Sequence, residues 1–183
     1  MYLLWYFWLF KAQIYTIYIM TETIEIRTIE LNDNKAIASI IKNTLIEFGG
    51  NKPGTAFNDI SLNNMFEAYN YPKAAYFIAT LNKKPVGGCG IKALDGGETH
   101  ICELQKMYIA SNARGKKIGK KLLNTCLEFA KKAGFKMCYI ETFPHMYAAI
   151  NIYKMNGFEM IDHPMGNTGH NACEVWMLKN LNQ

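Results

Sequence analysis

The residue types able to do chemistry concentrate in one stretch, Glu103-Leu-Gln-Lys-Met-Tyr-Ile-Ala-Ser-Asn-Ala-Arg-Gly-Lys-Lys-Ile-Gly119, which runs directly into an amphipathic helical pattern. A strand-like apolar run feeds a short turn holding Gly115 and Gly119. Arg114, Lys116, Lys117, Lys120 and Lys121 add five positive charges there, with no acid between them. The first N–H groups of a helix have no partner inside it and sit at the positive end of its dipole, so such a turn can cradle a phosphate. Glycine lets the backbone approach an oxyanion closely. The same residues also describe a solvated basic helix face whose glycines serve only the turn. On these residues alone both readings stand.

Several other chemistries are excluded by their missing signatures. There is no GxxxxGK[ST], no GxGxxG opening the first βα unit, no HExxH and no GxSxG. His100, His145, His163 and His170 are dispersed and read as surface or hydrogen-bonded histidines, so no metal site is expected. A nucleic-acid reader would need a basic surface with a matching motif, and nucleic acid is therefore not an expected partner. The five cysteines (Cys89, Cys102, Cys126, Cys138, Cys173) are odd in number and contain no CxxC pair. Reduced thiols in a cytoplasmic protein fit them better than a disulfide scaffold or a zinc ribbon.

A chain of 183 residues, 50% apolar and 19% charged, suits one domain around one core, and is neither a disordered tail nor a uniformly apolar membrane protein. Twenty Lys and Arg against 15 Asp and Glu give a charge of +5, which favours anionic partners, a phosphate-bearing cofactor or nucleic acid, without choosing between them. Residues 1–20 stand apart, with eight of the 24 aromatics and one charge, Lys11. Their purely apolar run, Tyr2–Phe10, falls short of the about 20 residues of a spanning helix. No basic start or small-residue cleavage site marks a secretory signal. The expected organisation is an apolar extension over 1–19 and one domain over 20–183. The extension reads as sequence upstream of a natural start at Met20, as a membrane anchor, or as a packing element; without it no membrane association is expected.

These residues must be positioned by alternating strands and helices. Ile24, Ile26 and Thr28 alternate with Glu25, Arg27 and Ile29, a strand; Ala36–Phe48 carries apolar residues three and four apart, a helix that Gly49-Gly50 stops. A second helix is expected around Asp59–Tyr69. Ala75–Leu81 and Val86–Ala93, joined by Asn82-Lys83-Lys84-Pro85, read as a hairpin, and the Gly87-Gly88-Cys89-Gly90 cluster points to a bulge or a close backbone approach. Strands are expected at Thr99–Ile109, Lys136–Thr142, Phe158–Ile161 and Glu174–Leu178, and helices at Gly115–Ala133 and Met146–Met155. The fold class is α/β (of α+β type): a mixed central sheet flanked by about four helices, hairpin-like in its first half and βαβ in its second.

The turn resembles the acyl-CoA-binding motif of the GNAT superfamily of N-acetyltransferases, a strand, then [RQ]-x-x-G-x-[GA], then a helix. Arg114 takes the first position and Gly119 the last; Lys117 stands at the inner glycine. Downstream, Ala149-Ile-Asn-Ile-Tyr-Lys-Met-Asn-Gly-Phe158 is similar to the family's A-x-x-x-Y-x-x-x-G-F element, with Met146 where an asparagine often precedes it. The resemblance covers about residues 24–180.

It implies a GNAT-like domain using acetyl-CoA as co-substrate. Arg114, Gly115, Lys116, Lys117, Ile118, Gly119 and Lys120 would hold the pyrophosphate, and Met107, Tyr108 and Ile109 the pantetheine arm, with a backbone N–H near Met107 facing the thioester oxygen. A lysine-like amine titrates near 10.4 and a thiol near 8.5, so both proton transfers gain from placed groups. Tyr153 is the expected general acid for the thiolate and Glu103 the expected base for the amine; Glu141 or a water chain are the alternatives for the base. The implied function is direct N-acetyl transfer to a small-molecule amine or a protein amino group, with a homodimer left open. The alternative is a non-catalytic acyl-CoA-binding or regulatory domain of the same fold. The acceptor pocket is expected between the Phe48–Tyr71 region and the loop around Gly166–His170.

Overall fold

The computed structural model describes residues 22–182; the expected extension over 1–19 lies outside the described residues. In chain order the elements are β1 (Ile24–Thr28), α1 (Asn34–Glu47), α2 (Met65–Tyr69), β2 (Ala75–Leu81), β3 (Lys84–Ala93), β4 (Ile101–Ile109), α3 (Ile118–Lys132), β5 (Met137–Thr142), α4 (Tyr147–Met155), β6 (Glu159–Ile161) and β7 (Val175–Asn180). The strands form one mixed sheet of seven in the order β1-β2-β3-β4-β5-β7-β6. β4 and β5 are parallel neighbours joined through α3, the βαβ unit that the strand–helix–strand pattern predicts. The other pairings are antiparallel.

Helices cover both faces. α3 buries Ile118, Leu122, Leu123, Cys126, Leu127 and Ala130 against β1–β4, the stripe its 3.6-residue periodicity dictates. α1 presents Ile37, Ile41 and Leu45 to the opposite face, together with Met65 and Tyr69 of α2 and Tyr76 and Ile78 of β2. The hairpin turn places Asn82 and Lys83 at φ +50° and +66°, the left-handed pair that matches the twist of the flanking strands. Among the described residues no helix is long and apolar enough to cross a membrane.

Most expected boundaries shift by one or two residues, and two differ further. The helix expected from Gly115 begins at Ile118, because Gly115 and Lys117 take φ +79° and +62° and cannot extend a right-handed helix. The helix expected over Asp59–Tyr69 splits into a 3-10 turn, Ile60–Asn63, and α2, because Asn64 leaves helical dihedrals (φ −141°, ψ 59°). The Asn34 side chain accepts the Phe66 N–H at 2.7 Å, supplying from α1 a partner that a continuous helix would have supplied itself.

Candidate active site

The site arises where two parallel neighbours part. β4 and β5 pair at Ile101–Met137, Cys102–Cys138 and Glu103–Tyr139. Beyond that β5 pairs with β7 alone, through Ile140, Glu141 and Thr142, while β4 follows β3. The β3–β4 register steps from Gly90–Gln105 to Gly88–Tyr108, so Lys106 and Met107 together oppose Cys89, a bulge with Lys106 at φ +50°. The parted strands line two adjoining chambers of about 400 and 380 Å³, open solvent at their mouths included. Both are lined by Leu104, Lys106, Tyr108, Glu141, Phe143 and Cys173, so they form one cleft.

Glu103 lines one chamber, at the last paired rung. It is 2% exposed. Burial pushes its carboxyl up to about 7, against the opposing pull of the Gln105 hydrogen bond and the nearby His170 and Lys106. Gln105 Nε2 donates to Glu103 Oε2 at 2.5 Å. Oε1 has no partner among the described residues. Glu141 is also raised, first by burial, but its Oε1 already accepts from Thr168 Oγ1 at 2.8 Å and Tyr139 O–H at 3.1 Å.

Tyr153 lines the other chamber, together with Met107, Ile140, Thr142 and Met146. α4 carries it inward, 3% exposed, with its ring 5.8 Å from that of Phe158. Burial holds its phenol well above the usual value, so it keeps its proton, and its hydroxyl has no hydrogen-bond partner among the described residues. Two parts of one cleft therefore present a proton acceptor and a proton donor.

The basic turn lies just past the end of β4. The first intrahelical bond of α3 is Lys121 N–H to Lys117 O, 3.2 Å. The amides of Ile118, Gly119 and Lys120 precede it and have no acceptor within the helix. A Cβ on Gly119 would meet Ile152 at 3.3 Å and Ile109 at 3.4 Å, so the residue sits tightly between α4 and the end of β4. Arg114 does not point its guanidinium into open space: Nε donates to Ile109 O at 3.1 Å, and Nη1 and Nη2 grip Glu47 at 2.6 and 2.7 Å above the Phe48 ring. Lys116 Nζ pairs with Glu22 at 2.5 Å.

The acetyltransferase (GNAT) family model matches residues 37–158. The chain belongs to the GNAT family. It is 42% identical over 156 residues to the uncharacterized N-acetyltransferase YjgM of Escherichia coli K12, covering 85% of this chain and 93% of that one. A GNAT-family acetyltransferase from Staphylococcus aureus Mu50 superposes with a TM-score of 0.76 at 23% identity, over 87% of this chain and 99% of that one. The yncA protein of Salmonella typhimurium, solved with its cofactor acetyl-CoA, matches with a TM-score of 0.69 at 17% identity over 86% of this chain and 94% of that one.

The cleft also takes in residues from the Phe48–Tyr71 and Gly166–His170 regions, none of them singled out there by type or spacing, together with Cys173. Thr55 and Ala56, from the Phe48–Tyr71 region, line the Glu103 chamber beside His170 and Cys173. Lys106 Nζ reaches Asp59 Oδ2 at 2.6 Å, and His170 Nε2 lies 3.2 Å from the same oxygen. Burial pushes the Asp59 carboxyl up, but the His170 hydrogen bond and the Lys106 charge outweigh it and hold it at about 2. Burial lifts the Cys173 thiol to about 12, so it stays protonated. The pairing of Asp59 with His170 joins residues 111 apart in sequence, and no local pattern announces it.

Proposed function

We propose that this GNAT protein transfers an acetyl group directly from acetyl-CoA to a primary amine, of a small molecule or of a protein. One observation carries the reading: a carboxyl titrating near neutrality and a protonated phenol without a partner line adjoining parts of the cleft between the parted strands. The co-substrate supplies an acyl thioester, whose carbonyl carbon an uncharged amine can attack.

The residues present fit that co-substrate. The open amides of Ile118, Gly119 and Lys120 face outward from the positive end of α3, suited to pyrophosphate. Lys117 holds the left-handed conformation at the position where the family carries glycine, so the turn keeps its shape without that glycine. Arg114 ties this turn to β4 and to the end of α1 through Ile109 and Glu47, and Lys120 adds charge. Met107, in the bulge, and Tyr108 and Ile109 just past it lie along the parted edge, where the pantetheine arm needs backbone partners.

Glu103 Oε1 takes one proton from the ammonium form of the acceptor, directly or through one water. The uncharged amine nitrogen then bonds to the carbonyl carbon, the carbon–sulfur bond breaks, the Tyr153 hydroxyl gives its proton to the departing thiolate, and the surplus proton on the newly bonded nitrogen returns through water to the Tyr153 phenolate. Each proton transfer by a placed group contributes about 10²- to 10⁴-fold. The test is turnover of acetyl-CoA against a panel of amines, with free thiol as readout. Thiol release that depends on an amine supports the reading; acetyl-CoA binding without turnover on any amine favours the acyl-CoA-binding alternative.

A further inference from the structure

The glycine run on β3 has a use beyond the strand it belongs to. A Cβ on Gly88 would lie 2.4 Å from the Tyr76 ring, and one on Gly90 would lie 2.6 Å from the Tyr69 ring and hydroxyl. The two rings pack against each other with centroids 5.1 Å apart. They come from β2 and α2, and each reaches over β3 to touch β4. Tyr76 O–H donates to the carbonyl of Lys106, inside the bulge, at 2.9 Å. Tyr69 O–H donates to Gln105 Oε1 at 2.8 Å, and Gln105 Nε2 donates in turn to Glu103 Oε2 at 2.5 Å.

The direction of this chain is set by chemistry. Burial raises the Tyr69 phenol well above its ordinary value, so it stays a donor throughout the working range. That fixes the Gln105 carbonyl toward the tyrosine and its NH2 toward the carboxyl, which in its ionised form can only accept. We propose that Tyr69 and Gln105 are positioning residues: they occupy Oε2 of Glu103, leave Oε1 to receive the proton of the amine, and stabilise the ionised carboxyl in a buried site, with Gly90 admitting the Tyr69 ring. This rests on the reading of Glu103 as the base.

The other groups facing Glu103 act on it in both directions. Lys106 on its own strand and His170 from the C-terminal loop favour the ionised form, while Glu141 on β5 opposes it. Asp59 holds both Lys106 and His170, and Cys138, Tyr139 and Cys173 also lie within the field of Glu103. None of these donates a hydrogen bond to it; Gln105 alone does among the described residues. Loss of a hydrogen bond to a charged group corresponds to a rise of about one pH unit or more in the carboxyl's midpoint.

The experiment compares the full chain with Tyr69→Phe, Gln105→Leu and Gly90→Ala, the last displacing the tyrosine while every member of the relay remains. The Glu103 midpoint is read by carbon-13 NMR of the labelled carboxyl, which needs no acceptor. The pH dependence of kcat is read on the best amine of the panel. The expected result is a wild-type midpoint near 7, an upward move in the variants, and an ascending limb of kcat that moves with it. A packing role alone would lower the melting temperature and leave the midpoint in place. An unmoved midpoint in the variants that fold overturns the relay while leaving Glu103 as base. A moved midpoint with an unmoved kcat limb removes Glu103 as base, and the proposal with it. Should Gln105→Leu fail to fold, Tyr69→Phe, which loses a single oxygen, decides between the same two outcomes.

Discussion

Replacing Glu103 by glutamine should make the protein more stable above neutral pH while it slows acetyl transfer. The carboxyl is 2% exposed and titrates at about 7 in the fold against an ordinary value of 4.5. Because the folded value is raised, wild-type stability is fully present below pH 4.5, falls as pH rises toward 7, and levels off above it. At about 1.4 kcal/mol per pH unit, the ionised carboxyl costs the folded state about 3 kcal/mol at pH 8. Glutamine carries no such charge and can still accept from Gln105. Urea denaturation of both proteins from pH 4 to 8 measures the difference directly, since Asp59 and the other carboxyls are common to both and cancel. The variant's advantage should grow by about 3 kcal/mol across that range. Above pH 7, where the wild-type carboxyl is ionised, kcat should fall about 10²- to 10⁴-fold, the worth of a general base. A stability difference that is flat with pH would refute the burial argument, and an unchanged kcat would remove Glu103 from the chemistry.

Three further outcomes follow from the same geometry. Tyr153→Phe keeps the ring against Phe158 but deletes the unpartnered hydroxyl, so kcat should fall about 10²- to 10⁴-fold with acetyl-CoA affinity and the thermal melt near wild type; unchanged steady-state kcat returns Tyr153 to a packing role. Arg114→Ala releases the turn from Ile109 and Glu47, and Gly119→Asp sets an anion among the open amides of α3, so calorimetry should show weaker acetyl-CoA binding in both. Unchanged affinity in the two variants would take the cofactor site away from this turn. Asp59, held at about 2, contributes stability that is present above pH 4 and lost as pH falls through its folded value. Asp59→Asn leaves the buried Lys106 ammonium unpaired and should cost about 2 kcal/mol or more at pH 7 by urea denaturation, with the deficit shrinking toward pH 2.

What the sequence disclosed was what is local. The strand of Ile24–Thr28, the stripe of α3 and the stop at Gly49-Gly50 are written in neighbouring residues, and so are the two motifs that carry the family resemblance. Boundaries were missed where one residue's conformation is decided by the turn it enters: Lys117 reads as a good helix former and instead holds φ +62° ahead of the helix. The site was half legible for the same reason. Glu103 and Tyr153 sit on recognisable elements, yet their protonation states are set first by burial against distant parts of the chain, and for Glu103 by His170 and Glu141 as well as by Gln105 and Lys106 of its own strand. Gln105 shares the strand of Glu103, and two-residue spacing puts both side chains on one face, which alone could have paired them. Tyr69 could not have been found so. Its hydroxyl reaches Gln105 across 36 residues of chain because β3 lacks a side chain at Gly90. The glycine cluster points to a bulge or a close approach, and the structure holds both: β3 carries an extra residue, Val86, against β2 just before the cluster, β4 bulges at Lys106 and Met107 opposite Cys89, and Gly88 and Gly90 supply the space. Backbone freedom on β3 is therefore secondary to the room that two tyrosine rings need above it. A side chain at Gly90 should disturb the chemistry at Glu103, even though it touches neither the carboxyl nor the amine.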